Sequence, residues 1–206
     1  MPHPRMTRRQ ALAGLALTAA PLGVAKAASR PDIVVVVLDD AGFSDLGAFG
    51  SEIRTPNIDA LATSGLRYVN FDTKALCSPT RAALLTGRNP QTLRMADLPS
   101  RLKAANPADR SKTKGELPTN VETVAQALRR AGYGTYAVGK WHLSPAYEGG
   151  PDERGPGGRV DPGGAKGSWP QHRGFDRYYG FLGGWTDQWS PALIEGDRLI
   201  PTPQRP

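Results

Sequence analysis

Ile33-Val34-Val35-Val36-Val37-Leu38-Asp39-Asp40 sets the expected fold class. Its six apolar residues are mostly β-branched, run without polar alternation, and stop at two carboxylates. Such a run predicts a strand buried on both faces of a parallel sheet. The carboxylates then sit at the strand's C-terminal end, where open α/β sheets place ligands. Downstream, Thr55-Pro56 opens a helix, with Thr as cap and Pro at the first position. Ile58, Leu61, Ala62 and Leu66 recur at helical spacing, and Gly65 marks the end. Tyr68 to Phe71 predicts a second strand. Thr119, with Glu122 three residues on, has the capping-box pattern of another helix, which Gly132 ends. Val121, Val124, Ala125 and Leu128 give it an apolar face. Thr135 to Val138 predicts a third strand, leading into Gly139-Lys140-Trp141-His142. Strand and helix in alternation argue for an α/β sandwich with a mostly parallel sheet.

Composition agrees with a globular chain. Of 206 residues, 39% are hydrophobic and 22% charged, which excludes a disordered polyelectrolyte. One Cys excludes an intrachain disulfide scaffold and any multi-Cys zinc site. The formal charge of +7 points first to a polyanionic partner. The N-terminus changes that. Arg8 and Arg9 form a twin-arginine pair, Ala11 to Val24 is apolar and too short to span a bilayer, and Ala25-Lys26-Ala27 has the small-x-small pattern of a cleavage site. Residues 1–27 therefore read as a twin-arginine-type signal peptide, leading to the periplasm or to secretion with no stable membrane anchor. The segment holds four bases and no acid, so residues 28–206 keep 22 bases against 19 acids, a net charge near +3. No aromatic-basic platform supports nucleic-acid binding.

Two stretches read as surface loops. Residues 94–114 hold six bases and two acids without a period. Residues 145–174 hold 14 Gly or Pro in 30 positions. His172 falls in the second loop and reads as exposed, without a role. Three strands and a few helices bury little core for a parallel sheet, and the chain stops at Pro206 in mid-connection. Residues 28–206 thus read as the N-terminal part of a larger domain, incomplete at its C-terminus.

The chemistry centres on Cys77-Ser78-Pro79-Thr80-Arg81, followed by Ala82-Ala83-Leu84-Leu85-Thr86-Gly87-Arg88. Pro79 suits a first helical turn and Ala82 to Leu85 are helix formers, so Cys77 sits just before a helix N-terminus. Free N–H groups and the helix dipole stabilise an anion there, and Arg81 adds a positive charge one turn on. A lone Cys in this position is also compatible with an inert buried thiol. Asp39-Asp40 suits a hard divalent cation, or caps a turn. Lys140 and His142, two apart in extended chain, share a face with Trp141 opposite. They suit an anion and a proton transfer, or a solvated surface.

Cys-x-Pro-x-Arg with Leu-Thr-Gly-Arg behind it resembles the signature of the sulfatase family, in the alkaline-phosphatase-like superfamily. Asp39-Asp40 upstream, Gly139-Lys140-Trp141-His142 downstream, and Gly174-Phe175-Asp176 beyond follow in the family's order. Asp187-Gln188-Trp189-Ser190-Pro191 looks most like bacterial arylsulfatases. The resemblance implies that Cys77 is oxidised to formylglycine by a formylglycine-generating enzyme or equivalent maturase. It implies a divalent metal, Ca²⁺ with Mg²⁺ as the alternative, on Asp39, Asp40 and the residue at 77. It gives Lys140 to the sulfate of a small-molecule sulfate ester. His142 goes to proton transfer at the formylglycine, and Arg81 to positioning its hydroxyl. The family's remaining metal and sulfate ligands lie beyond residue 206, so the 206-residue chain is expected to be inactive or nearly so. The alternatives are a phosphonate monoester or phosphodiester hydrolase of the same superfamily, or a non-catalytic truncated secreted fragment.

Overall fold

A computed structural model describes residues 30–98, 115–144, 166–189 and 191–201. The signal-peptide reading of residues 1–27 and most of both expected loops lie outside them. The chain divides into two compact units, residues 1–38 and 39–206.

In the first unit, Ile33–Leu38 forms no strand. Its six side chains are 40–82% exposed. The expectation of a doubly buried strand is therefore corrected. Apolar side chains favour a strand only where a backbone partner is available, and the described strands pair only with one another. Tyr68–Phe71, in the second unit, is likewise exposed and unpaired in any sheet.

The second unit carries the sheet. Strand β1 (Tyr136–Lys140) pairs in parallel with β2 (Arg177–Phe181). Two short strands, β3 (Ile194–Glu195) and β4 (Arg198–Leu199), continue it in antiparallel pairings. The described sheet is thus mixed and open, in the order β1-β2-β3-β4. Register at its start comes from an exchange between Thr135 and Asp176. The Thr135 amide donates to Asp176 Oδ2 at 2.9 Å, and the Asp176 amide donates to the Thr135 carbonyl at 2.7 Å.

Among the described residues, three α-helices accompany the sheet. Helix α1 (Pro56–Ser64) starts after Thr55 and stops at Gly65, as its pattern predicts. The Thr55 hydroxyl does not cap it. It accepts from the Gly47 amide and donates to Asp59 Oδ1, both at 2.8 Å, tying the helix to the turn Gly47–Phe49. Helix α2 (Cys77–Thr86) ends at Gly87, whose φ of 64° is a left-handed cap that costs glycine nothing. Helix α3 (Val124–Arg130) starts four residues later than the Thr119–Glu122 pattern predicts. Its box is Thr123 with Gln126. The reason is Arg173, whose guanidinium donates to the Thr119 and Val121 carbonyls and holds 119–121 out of the helix.

The core is built by Trp141, Leu143, Tyr178, Leu182 and Ile194 from the sheet region, with Ala82 from α2 and Met95, Leu117 and Trp169 from the connections. Trp141 donates from Nε1 to the Ser168 carbonyl at 2.8 Å and meets Phe175 edge-on with ring centroids 6.0 Å apart. Part of the glycine-rich stretch is ordered by these contacts. Pro170–Arg173 is a 3₁₀ turn, where the composition predicts only loop.

Candidate active site

The site forms where α2 begins and β1 ends. Cys77 is the first residue of α2, and its neighbours in the motif anchor that helix. Ser78 donates from its hydroxyl to the His142 carbonyl at 2.5 Å. Thr80 accepts from the Lys74 amide at 3.1 Å and lies 3.0 Å from the Lys74 carbonyl. Ser78, Pro79 and Ala82 are the buried residues of this helix. The thiol of Cys77, half-buried, is left at the helix N-terminus, where unpaired amides and the dipole favour negative charge.

Strand β1 supplies the facing residues. The backbone turns through Gly139 (φ 94°) and His142 (φ 58°). His142 is rare among non-glycine residues in adopting this conformation, which marks a constrained position. The turn aims Lys140 and His142 at the mouth of α2 and Trp141 into the core. His142 Nδ1 lies 3.2 Å from Cys77 Sγ. Lys140 Nζ donates to Asp39 Oδ2 at 2.8 Å, and Arg81 Nη2 lies 3.7 Å from Asp39 Oδ1. Arg81 also donates from Nη1 to the Lys140 carbonyl at 2.8 Å. Its Nε is buried without a hydrogen-bond partner among the described residues, an unspent donor inside the cluster.

The electrostatics favour an anion. Burial pushes His142 down to about 4, and the charges of Lys140 and Arg81 act in the same direction against a small opposing effect of Asp39. The ring is therefore neutral at pH 7, and its unprotonated nitrogen can accept a proton. Burial raises the Asp39 carboxyl, but the Lys140 hydrogen bond and the charges of Lys140 and Arg81 outweigh it and hold it below the usual range. One carboxylate thus faces two cations, and the cluster keeps a net positive charge.

Cys77, Arg81, Lys140, His142 and Asp39 are brought together. Asp40, at φ 56°, enters no hydrogen bond or ion pair with them. The residues do not complete a metal site. A hard dication takes six to eight oxygens. No group of three or more His, Cys, Asp or Glu converges among the described residues, and Lys140 already engages one oxygen of Asp39. An open cleft of about 650 Å³ lined by Thr119, Glu122, Arg129 and His172 lies apart from these residues. His172 is exposed, as expected, with its Nε2 2.9 Å from Asp197 Oδ2.

Sequence reasoning missed Ser78 and Thr80, which occupy the unspecified positions of the Cys-x-Pro-x-Arg pattern. It also missed Gly184, which packs against the His142 ring. The Gly183-Gly184 pair was the available signal for a close backbone approach.

The chain is similar to known proteins over most of its length. The chain is 32% identical to an arylsulfatase of Klebsiella aerogenes over 167 residues, 81% of this chain and 31% of that one. It is 40% identical to arylsulfatase A of Bos taurus over 156 residues, 75% of this chain and 26% of that one. The chain therefore spans about a third or less of these relatives' length. The solved structure of Ps i-CgsB matches 71% of this chain and 27% of its own with a TM-score of 0.52 and 34% identity. A Bacteroides thetaiotaomicron protein from a locus for metabolism of multiple glycosaminoglycans matches 79% of this chain and 30% of its own, with a TM-score of 0.54 and 28% identity. The α/β fold is the one these alkaline-phosphatase-like neighbours share. The sulfatase family model matches residues 31–197, a span that takes in the cysteine, both site cations and the histidine, and the chain belongs to the sulfatase family.

Proposed function

We propose that this chain carries the nucleophile and the first anion-binding groups of a sulfuric ester hydrolase of arylsulfatase type. The observation that carries the reading is the 3.2 Å approach of Cys77 Sγ to His142 Nδ1 beside Lys140 and Arg81, in a chain of the sulfatase family. Converted to formylglycine by a maturase, position 77 supplies a hydrated aldehyde as the attacking group. The rest is done by the chain's own residues. Lys140 binds the oxygens of a sulfate ester and offsets charge that develops on them, and Arg81 positions the hydroxyl of residue 77. Asp39 holds both cations in place. Neutral His142, with Nε2 protonated, accepts a proton at Nδ1 from the hydroxyl group opposite it.

Asp39 and Asp40 are donors of the right kind for Ca²⁺ or Mg²⁺, and among the described residues they are too few for either. The 206-residue chain therefore hydrolyses aryl sulfates slowly or not at all. Residues 1–27 direct export by the twin-arginine route to the periplasm or beyond. No helix among the described residues is long and apolar enough to cross a membrane.

The test is the mass of the Cys77 peptide after expression beside a maturase, followed by calorimetry of the converted chain with an aryl sulfate and a phosphonate monoester. Exchange of sulfur for oxygen with loss of hydrogen, and tighter binding of the sulfate ester, are expected. Preference for the phosphonate would move the chain to the phosphonate hydrolases. A thiol that no maturase converts would leave a non-catalytic fragment.

A further inference from the structure

We infer that Gly184 is a positioning residue for His142, and that its lack of a side chain is what seats the imidazole against residue 77. A Cβ at Gly184 would lie 2.7 Å from His142 Cε1, 2.8 Å from Nε2 and 3.3 Å from Nδ1. Carbon atoms pack at about 3.5–4.0 Å, so one of the two groups must move.

His142 has little freedom to move. Its amide donates to the Leu182 carbonyl at 3.0 Å, which continues the β1–β2 ladder past its last assigned pair. Its carbonyl accepts from Ser78, and its Nδ1 meets Cys77. The backbone is thus held on both sides, and the residue is almost fully buried. The remaining escape is rotation of the side chain, which swings Nδ1 away from position 77. The ladder itself delivers Gly184 to the ring. Trp141 and His142 donate to Phe181 and Leu182, and the chain two residues on crosses the imidazole edge. The three atoms nearest the added Cβ all belong to the His142 ring, so its effect passes first through the ring.

The catalytic value of this seat rests on the proposed formylglycine chemistry. Its geometry is testable without that chemistry, on the unconverted 206-residue chain. Cys77 is the only thiol and there are three histidines, so both probes read single residues. In Gly184→Ala, the ring signal of His142 in a ¹H–¹³C spectrum shifts while that of His172 stays. Alkylation of Cys77 by iodoacetamide at pH 7 changes rate by at least about twofold, because the ring that flanks the thiol and limits access to it has moved. In a His142→Ala background, adding Gly184→Ala changes the alkylation rate no further. If Gly184→Ala alone fails to fold, Gly184→Ala with His142→Ala folds, because the clash is with the ring. An unshifted His142 signal, an equal change of alkylation rate in both backgrounds, or a double variant that also fails to fold would overturn the assignment. A thiol that is never converted would sink the enzymatic reading and leave these outcomes as they are.

Discussion

Lys140 and Asp39 meet at 2.8 Å across 101 residues of chain, with Arg81 on the other oxygen of the same carboxylate. The lysine is almost buried, at 9% side-chain exposure, whereas the aspartate is 44% exposed. A cation approaching Asp39 from solvent therefore competes with two resident positive charges. Adding 1 mM Ca²⁺ to the 206-residue chain is expected to leave its melting temperature unchanged, since a site weaker than about 1 mM adds little stability. Lys140→Met removes one competitor but adds no ligand, so the melting temperature of that variant is likewise expected not to respond to Ca²⁺. Differential scanning calorimetry with and without EDTA checks both.

Ser78 offers a sharper test of the site's architecture. Its hydroxyl bonds the carbonyl of His142, and both residues are buried. Ser78→Ala leaves that carbonyl unpaired and should cost about 1–2 kcal/mol in urea unfolding. It should also move the His142 ring signal, because the bond joins α2 to the residue that faces Cys77. A loss of stability with an unmoved ring would separate the two roles.

Arg173 predicts a larger effect. It is 1% exposed, donates to the carbonyls of Thr119 and Val121, and burial holds its guanidinium below its ordinary value. Arg173→Met keeps much of the volume and takes the donor away from the carbonyls of exposed Thr119 and half-buried Val121. About 2–4 kcal/mol of stability should be lost. Hydrogen exchange should show the loss first at α3, whose start this side chain defines.

The pH dependence of folding should carry a signature of Asp176. Its carboxyl is held below the ordinary value of 3.8, first by the Thr135 amide, against burial, and then by the Thr135 hydroxyl and the charge of Arg129. The folded state thus releases this proton more readily than the unfolded chain. The resulting stability is present above the unfolded value and is lost as pH falls through the folded one. Asp176→Asn should be less stable than the parent at pH 7. The gap between the two urea midpoints should close as pH is lowered from 5 to 2. A constant gap would place the effect in shape rather than charge.

The site was more legible than the sheet, for a physical reason. Cys77, Arg81, Lys140 and His142 carry chemistry that few environments can accommodate, and their order along the chain narrows the possibilities further. Ile33–Leu38 carries only apolarity, which a strand shares with any surface awaiting a partner. The capping box shows the same limit at short range. Thr119–Glu122 and Thr123–Gln126 both satisfy the pattern, and a buried arginine fifty residues away selects the second. Gly184 and Ser78 were hidden because their roles depend on what lies opposite them in space.

The two hydroxyls that flank Pro79 have a mechanical meaning. Each residue of a helix advances its side chains by about 100° around the axis. Ser78 and Thr80, about 200° apart around the axis, tie nearly opposite sides of α2 to His142 and Lys74, so the helix is keyed at its first turn and cannot be indexed by one position without breaking both ties. Length changes within α2 are therefore absorbed at its far end, near Gly87. The azimuth of residue 77 is insulated from them.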